Sequence, residues 1–194
     1  PRGVEHAVTF HRRLHLIHEP QKHMKTFPLL TVAFVALALT ARAEQKISDA
    51  QIAAIVVAAN QVDIDAGKFA VEQASAADVR QFAQTMVTDH TAVNQSAVEL
   101  VTKLHVSPEE NETSRALQTG GEKNIASLRA LNGKAFDKAY VDHEVTYHEQ
   151  VIQALDTALI PNAQNAELKA LLVKVRPAFI AHLDHAKHLQ GNLR

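Results

Sequence analysis

From Ala76 to His105 the chain carries Val79, Phe82, Met86, His90, Val93, Ala97, Leu100 and Leu104 at steps of three or four residues. That spacing puts them on one face of an α-helix, whereas a strand would alternate every second residue. Asp78, Arg80, Asp89, Thr91 and Lys103 lie off the stripe and are polar, so the element reads as a surface helix of a bundle and not as a membrane span. At about 1.5 Å per residue, about 30 residues extend roughly 45 Å, longer than the usual globular helix. A helix of that length needs equally long partners to cover its apolar face.

Three further stretches supply them. Ser48-Asp49 is an N-cap signal, followed up to Ser75 by Ile52, Val56, Ala59, Asp63, Ala66, Ala70 and Ala74 on one face. Gly67 inside this pattern costs about 1 kcal/mol relative to alanine, tolerable where another helix approaches closely. Ser75 is expected to cap the second helix, which should end near Pro108. After Gly133 the inward stripe is Phe136, Tyr140, His143 or Glu144, Tyr147, Val151, Leu155 and Leu159, ended by Pro161-Asn162. The last element, from about Ala163, presents Leu168, Leu172, Val175, Phe179, His182, Ala186 and Leu189; Pro177 inside it should bend it, and Gly191 should finish it. Between the second and third elements the pattern weakens and Gly120-Gly121 reads as a break, so residues 109–131 are expected to be a connector with one or two short helices. The sum is an all-α, ferritin-like four-helix bundle with a long crossover containing short helices.

Composition narrows the function classes. Twenty Lys+Arg against 21 Asp+Glu give no basic footprint for nucleic acid, and the basic residues have no aromatic row beside them. Without cysteine there are no disulfides, no thiol catalysis and no thiolate-bound metal. Met24-Lys25, the apolar run Phe27 to Leu39 and the small-x-small site Ala41-Arg42-Ala43 describe a secretory signal peptide over residues 24–43, cut before Glu44. The run is too short for a comfortable membrane span, and no cysteine follows it for a lipid anchor. Residues 1–23 then read as an upstream extension outside the fold; their histidines at 6, 11, 15, 18 and 23 offer the alternative of a metal-binding tail. The bundle domain is residues 44–194, expected in the periplasm or cell envelope, or secreted, with no stable membrane span once the signal is removed.

The chemistry lies in residues that interrupt the apolar faces. His90, His148 and His182 sit on three different helices, with Glu144 four residues before His148 and Asp63 on the inner stripe of the first helix. A buried imidazole needs a partner for each ring nitrogen. One reading makes these five residues ligands of iron, zinc or manganese, since mixed imidazole and carboxylate donors suit such ions. The other makes the histidines satisfied core residues bonded to Asp63, Glu144, Tyr140, Tyr147 or backbone carbonyls. The usual di-iron bundle uses paired Glu-x-x-His motifs, which are absent from this chain, and that absence favours the structural reading. Phosphate-loop, Gly-x-Ser-x-Gly and His-Glu-x-x-His patterns are absent too, and Asp63 with Asp65 lacks the other ligands of a calcium loop.

Phe82-Ala83-x-x-Met86-Val87-x-Asp89-His90, Gly133-x-x-Phe136-Asp137-x-x-Tyr140-Val141, His148, and Pro177 with His182 five residues on form a spaced set, within a resemblance that spans about Ile47 to Leu189. This set resembles the domain-of-unknown-function 4142 family of exported, mostly bacterial proteins. The resemblance implies a ferritin-like fold, export, and a shared role for His90, His148 and His182. The family usually carries glutamate where this chain has Asp63, a side chain about one methylene shorter. Since the family has no agreed activity, the expected function is that of a non-catalytic envelope protein acting through its helical surfaces, in stress tolerance, with a homo-oligomer or an envelope protein as partner. The alternative is a ferritin-like metal-binding or redox protein. N-terminal sequencing of protein recovered from the envelope is expected to begin at Glu44; intact cytoplasmic protein retaining Phe27 to Ala43 would contradict the export reading.

Overall fold

The computed structural model describes residues 46–193, all of whose regular elements are helical. The expected extension (1–23), its histidines, and the signal peptide with its cleavage site (24–43, before Glu44) lie outside the described residues. The elements are α1 (Asp49–Gln73), α2 (Ala77–Lys103), α3 (Glu112–Leu128), α4 (Gly133–Ala154), a π-helical turn (Leu155–Leu159), α5 (Ile160–Asn162) and α6 (Ala166–Asn192). Among the described residues, no helix is long and apolar enough to cross a membrane.

The helix starts follow local chemistry. Ser48 caps α1 in a reciprocal capping box: its hydroxyl accepts from Gln51 N at 3.2 Å and the Gln51 side chain accepts from Ser48 N at 3.1 Å. Asn111 does the same for α3 with Ser114, and Asn165 accepts from Glu167 N and Leu168 N at the start of α6. Ser75 does not cap α2 as its side chain suggests. The N-cap position falls on Ala76, and the buried carboxylate of Asp137 on α4 accepts from Ser75 N (2.8 Å), Ser75 Oγ and Ala76 N (3.0 Å). A distant carboxylate reaches these donors and displaces the local hydroxyl, which no spacing within the loop reveals.

This contact also defines topology. It places the starts of α2 and α4 at one end of the bundle, so the two helices run parallel. At the other end Asp49, in the first turn of α1, accepts from Gln164 N and Asn165 N at 2.9 Å, bringing the α5–α6 loop beside the start of α1. The α2–α4 connection must therefore travel the length of the bundle, and α3 makes the journey along α1. It is one helix of 17 residues with no break at Gly120-Gly121, contrary to the sequence expectation. The reason is close packing: a Cβ on Gly121 would meet Val62 Cγ2 at 2.8 Å, so Gly121 lets α3 lie against α1. Gly191 also lies inside α6 instead of ending it, and Pro177 lies within the same helix.

The core is divided along the bundle. One apolar cluster, near the α1–α2 loop, is built from residues such as Ala70, Val79, Phe82, Phe136, Tyr140 and Leu189. A second, toward the other end, contains Ile52, Ile55, Leu100, Leu155, Leu172 and Phe179. Between them lies a buried polar layer of Asn60, Asp63, His90, Glu144, His148 and His182. The two glycines of α3 test the packing account. Gly120, with nothing within 4 Å of an added Cβ, should gain about 0.4–1 kcal/mol of stability on substitution by alanine, whereas Gly121→Ala should lose stability in the same denaturant unfolding experiment.

Candidate metal centre

Each long helix contributes to the polar layer: α1 gives Asn60 and Asp63, α2 gives Asp89 and His90, α4 gives Glu144 and His148, and α6 gives His182. The three rings form a triangle with centroid separations of 5.6 Å (His90–His148), 5.2 Å (His90–His182) and 5.4 Å (His148–His182). His90 also stacks on Phe179 at 5.2 Å, which holds the ring plane. The sequence left the relative heights of these residues open, and the structure brings all five expected site residues together. One nitrogen from each histidine lies within 4.8 Å of one from each of the others, and a second group with the same spacing joins Asp63, Glu144 and His148.

Hydrogen bonding decides which nitrogen of each ring faces the centre. The Asn60 amide donates from Nδ2 to Val56 O at 2.8 Å, so its Oδ1 accepts from His90 Nδ1–H at 2.7 Å. His148 Nδ1–H donates to the Glu144 carbonyl at 3.0 Å, because a carbonyl can only accept. His182 Nε2–H donates to Asp89 Oδ2 at 2.9 Å. The remaining nitrogens, His90 Nε2, His148 Nε2 and His182 Nδ1, are buried without a hydrogen-bond partner, as are both Glu144 oxygens. Asp63 Oδ2 stands 3.2 Å from His90 Nε2 and 3.8 Å from His148 Nε2, and Glu144 Oε2 is 3.5 Å from His148 Nδ1. Donors held about 2.0–2.2 Å from one tetrahedral ion are roughly 3.3–3.6 Å apart, so the spacing around Asp63 suits a shared cation.

Burial tunes the charges. It pushes Asp63 up to about 7, opposed by the neighbouring Glu144 carboxyl, and it raises Glu144 well above the usual carboxylate range, helped by the neighbouring Asp63. Desolvation also lowers His90 well below the ordinary imidazole value and brings His148 down to about 4. The metal-free layer thus favours neutral His90 and His148 and proton-retaining Asp63 and Glu144. Neutral imidazole is the ligand form, while the carboxyl protons must leave when an ion binds.

Two contributors escaped the sequence reading as members of the site. Asn60, three residues before Asp63, adjoins Ala59 of the expected α1 stripe and was not assigned to it; Asp89, beside His90, was legible as an off-stripe polar residue and as part of the Asp-His family motif, not as a partner of His182. His185, three residues after His182, is exposed and lies against Phe82 with centroids 5.1 Å apart, outside the cluster.

The fold and site thus define an all-helical bundle with a histidine and carboxylate cluster capable of chelating a metal. The model of the family described as Domain of unknown function (DUF4142) matches residues 35–189, and the chain belongs to that family. No curated protein and no solved structure matches it.

For the metal-free protein the pH dependence follows from these shifts. Stability from the raised carboxyls is complete below their unfolded values near 4 and is lost as pH rises through the folded ones, about 7 for Asp63. Stability from the lowered histidines is complete above about 6.5 and is lost as pH falls through the folded values, about 4 for His148. The trends oppose one another between about 4 and 6.5, and only the carboxyl trend remains above that. Denaturant unfolding in chelator should therefore show stability declining as pH rises above about 6.5, with the slope removed in the Asp63→Asn, Glu144→Gln double variant.

Proposed function

We propose that the protein is a ferritin-like metal-binding bundle of the cell envelope. It holds one divalent first-row ion through His90 Nε2, His148 Nε2, His182 Nδ1 and the Asp63 carboxylate, with Glu144 as a further oxygen donor. The observation that carries this reading is that three buried rings on three helices each have one nitrogen committed to an outer acceptor and the other bare. Hydrogen-bonded outer nitrogens are the usual support of metal-ligating histidines, since they set tautomer and ring orientation.

Protons alone satisfy the cluster poorly. A proton on Asp63 can serve His90 Nε2 at 3.2 Å, and a shared proton can join Asp63 to Glu144. His182 Nδ1 then still lacks a donor, as does an acceptor on His148 or Glu144 unless the unpartnered Tyr140 hydroxyl near Glu144 turns to it, and an unsatisfied buried polar atom costs about 1–3 kcal/mol. A cation serves all of them together. This count favours the metal reading over the satisfied-core histidines expected from the sequence.

The donor set suits zinc, iron(II) or manganese, with affinity expected to rise from manganese through iron(II) to zinc. Two carboxylates without Glu-x-x-His pairs match one ion and not the usual di-iron arrangement. Parallel α2 and α4 joined by a bundle-length crossover support the ferritin-like description. The ion would supply Lewis acidity and a cross-link between α1, α2, α4 and α6. Asn60, Asp89 and the Glu144 carbonyl orient the rings, and the apolar clusters on either side limit contact with bulk water. Export rests on the signal-peptide pattern of residues 24–43.

Calorimetric titration of tag-free protein beginning at Glu44 is expected to give one site per chain with Kd below about 1 μM for zinc, lost in His90→Ala and His148→Ala. Absence of saturable binding to zinc, iron(II) and manganese would return the histidines to a structural role.

A further inference from the structure

On the side of the polar layer away from the α1–α2 loop, the helices leave a cavity of about 170 Å³. Asp63 and His90 form part of its wall, and Ile55, Leu117, Leu155 and Leu172 supply apolar surface. Thr113 and Gln150 are exposed and mark its rim. The π-helical turn helps to shape the space: Leu155 and Leu159 from its two ends line the cavity, and π segments recur at functional sites. A bidentate pair holds this turn to α6, with Arg176 Nε and Nη2 2.6 and 2.7 Å from Asp156.

The cavity's polar wall is already committed except at the candidate metal centre. Asn60 is engaged by His90 and Val56 O, and the Tyr147 hydroxyl donates to Ala59 O at 2.9 Å. Among the described residues lining the cavity, His90 Nε2 is the one buried side-chain nitrogen or oxygen that lacks a hydrogen bond. No lysine or arginine lines it. In the metal-loaded state proposed above, Asp63 and Glu144 balance a divalent ion, and an anion entering this apolar space would lose hydration without a further cation to meet it.

We propose that the cavity binds a small, neutral, apolar molecule with one oxygen head, an alcohol or phenol in chemical class, whose oxygen adds to the ion as a fifth ligand beside the three histidines and Asp63 while its body fills the apolar space. The inference rests on the metal reading. Size limits the body to about six or seven carbons, because an apolar cavity of about 150 Å³ accommodates benzene and this one is slightly larger.

The test uses the full mature chain beginning at Glu44, loaded with one equivalent of zinc, and benzyl alcohol as the probe, followed by ligand-observed NMR; benzoate is the anionic counterpart. Cobalt(II)-loaded protein reports oxygen coordination through its visible spectrum. Benzyl alcohol should bind saturably, perturb the cobalt spectrum, and bind at least about tenfold more tightly than benzoate. Leu117→Trp or Val175→Phe, either of which fills the cavity from a residue outside the donor set, should weaken benzyl alcohol by at least about tenfold while zinc affinity stays unchanged. No saturable binding to zinc-loaded protein, binding unaffected by a folded cavity-filling variant, or preference for benzoate would overturn the proposal while leaving metal binding intact. An unchanged cobalt spectrum on saturation would overturn the coordinated oxygen head. Failure of zinc itself to bind in the calorimetric titration would instead defeat the metal reading, and this inference with it.

Discussion

Burial of a polar layer between two apolar clusters is the constraint on which the structure depends. Asp63, His90, Glu144 and His148 are all within 2% of complete burial and His182 is 5% exposed, so their inward atoms are largely withdrawn from bulk solvent. Several such atoms left bare would consume a sizeable part of a small domain's net stability. The groups must therefore share protons or an ion, and they can share either only at one height in the bundle. Contacts at the two ends help to set that height. Asp137 ties α4 to the α1–α2 loop, and Asp49 ties the α5–α6 loop to the start of α1. A shift of one helix by a turn, about 5.4 Å, would carry its donors out of reach of the others.

Economy within each helix explains how so few residues orient the cluster. On α1, Asn60 and Asp63 are separated by three residues and share a face, so one helix supplies both an outer acceptor and an inner oxygen. On α4, His148 donates to the carbonyl of Glu144, whose side chain belongs to the same layer. Adjacent residues on a helix diverge by about 100°, which lets His90 face the core while Asp89 reaches sideways to His182 on α6. The Asp89 side chain remains 44% exposed, so the cluster has an outer link at the surface through His182.

The long helices were legible because their apolar periods persist for many turns. Val79, Phe82, Met86 and His90 are all buried as their spacing requires, and Asp63 occupies the inner face of α1. The matching heights of His90, His148 and His182 were not legible, because helix ends shift by a residue or two and each residue moves a side chain about 1.5 Å along the axis. Nor was the Asp137 cap, which joins residues about sixty positions apart. Gly120-Gly121 illustrates a different limit. Glycine signals a break when only local propensity is considered, but at Gly121 the missing side chain permits the contact with Val62 that keeps α3 against the bundle.

Aromatic residues are unevenly divided across the polar layer, and this bears on why a cavity lies on one side of it. Phe69, Phe82, Phe136 and Tyr140 crowd the half near the α1–α2 loop, with Phe69 and Phe136 edge to face at 5.7 Å and Phe136 and Tyr140 stacked at 6.4 Å. In the other cluster Phe179 is the sole aromatic member, and its ring is engaged with His90. Branched aliphatic side chains and alanines form the rest of that cluster, with Tyr147 beside them in the cavity wall, around a π turn that carries Leu155 and Leu159. Large planar rings fill space efficiently where helices diverge, whereas aliphatic side chains anchored to an irregular turn can leave a gap. The packing difference thus leaves open space next to Asp63 and His90, while the opposite side of the layer is closed by aromatic bulk.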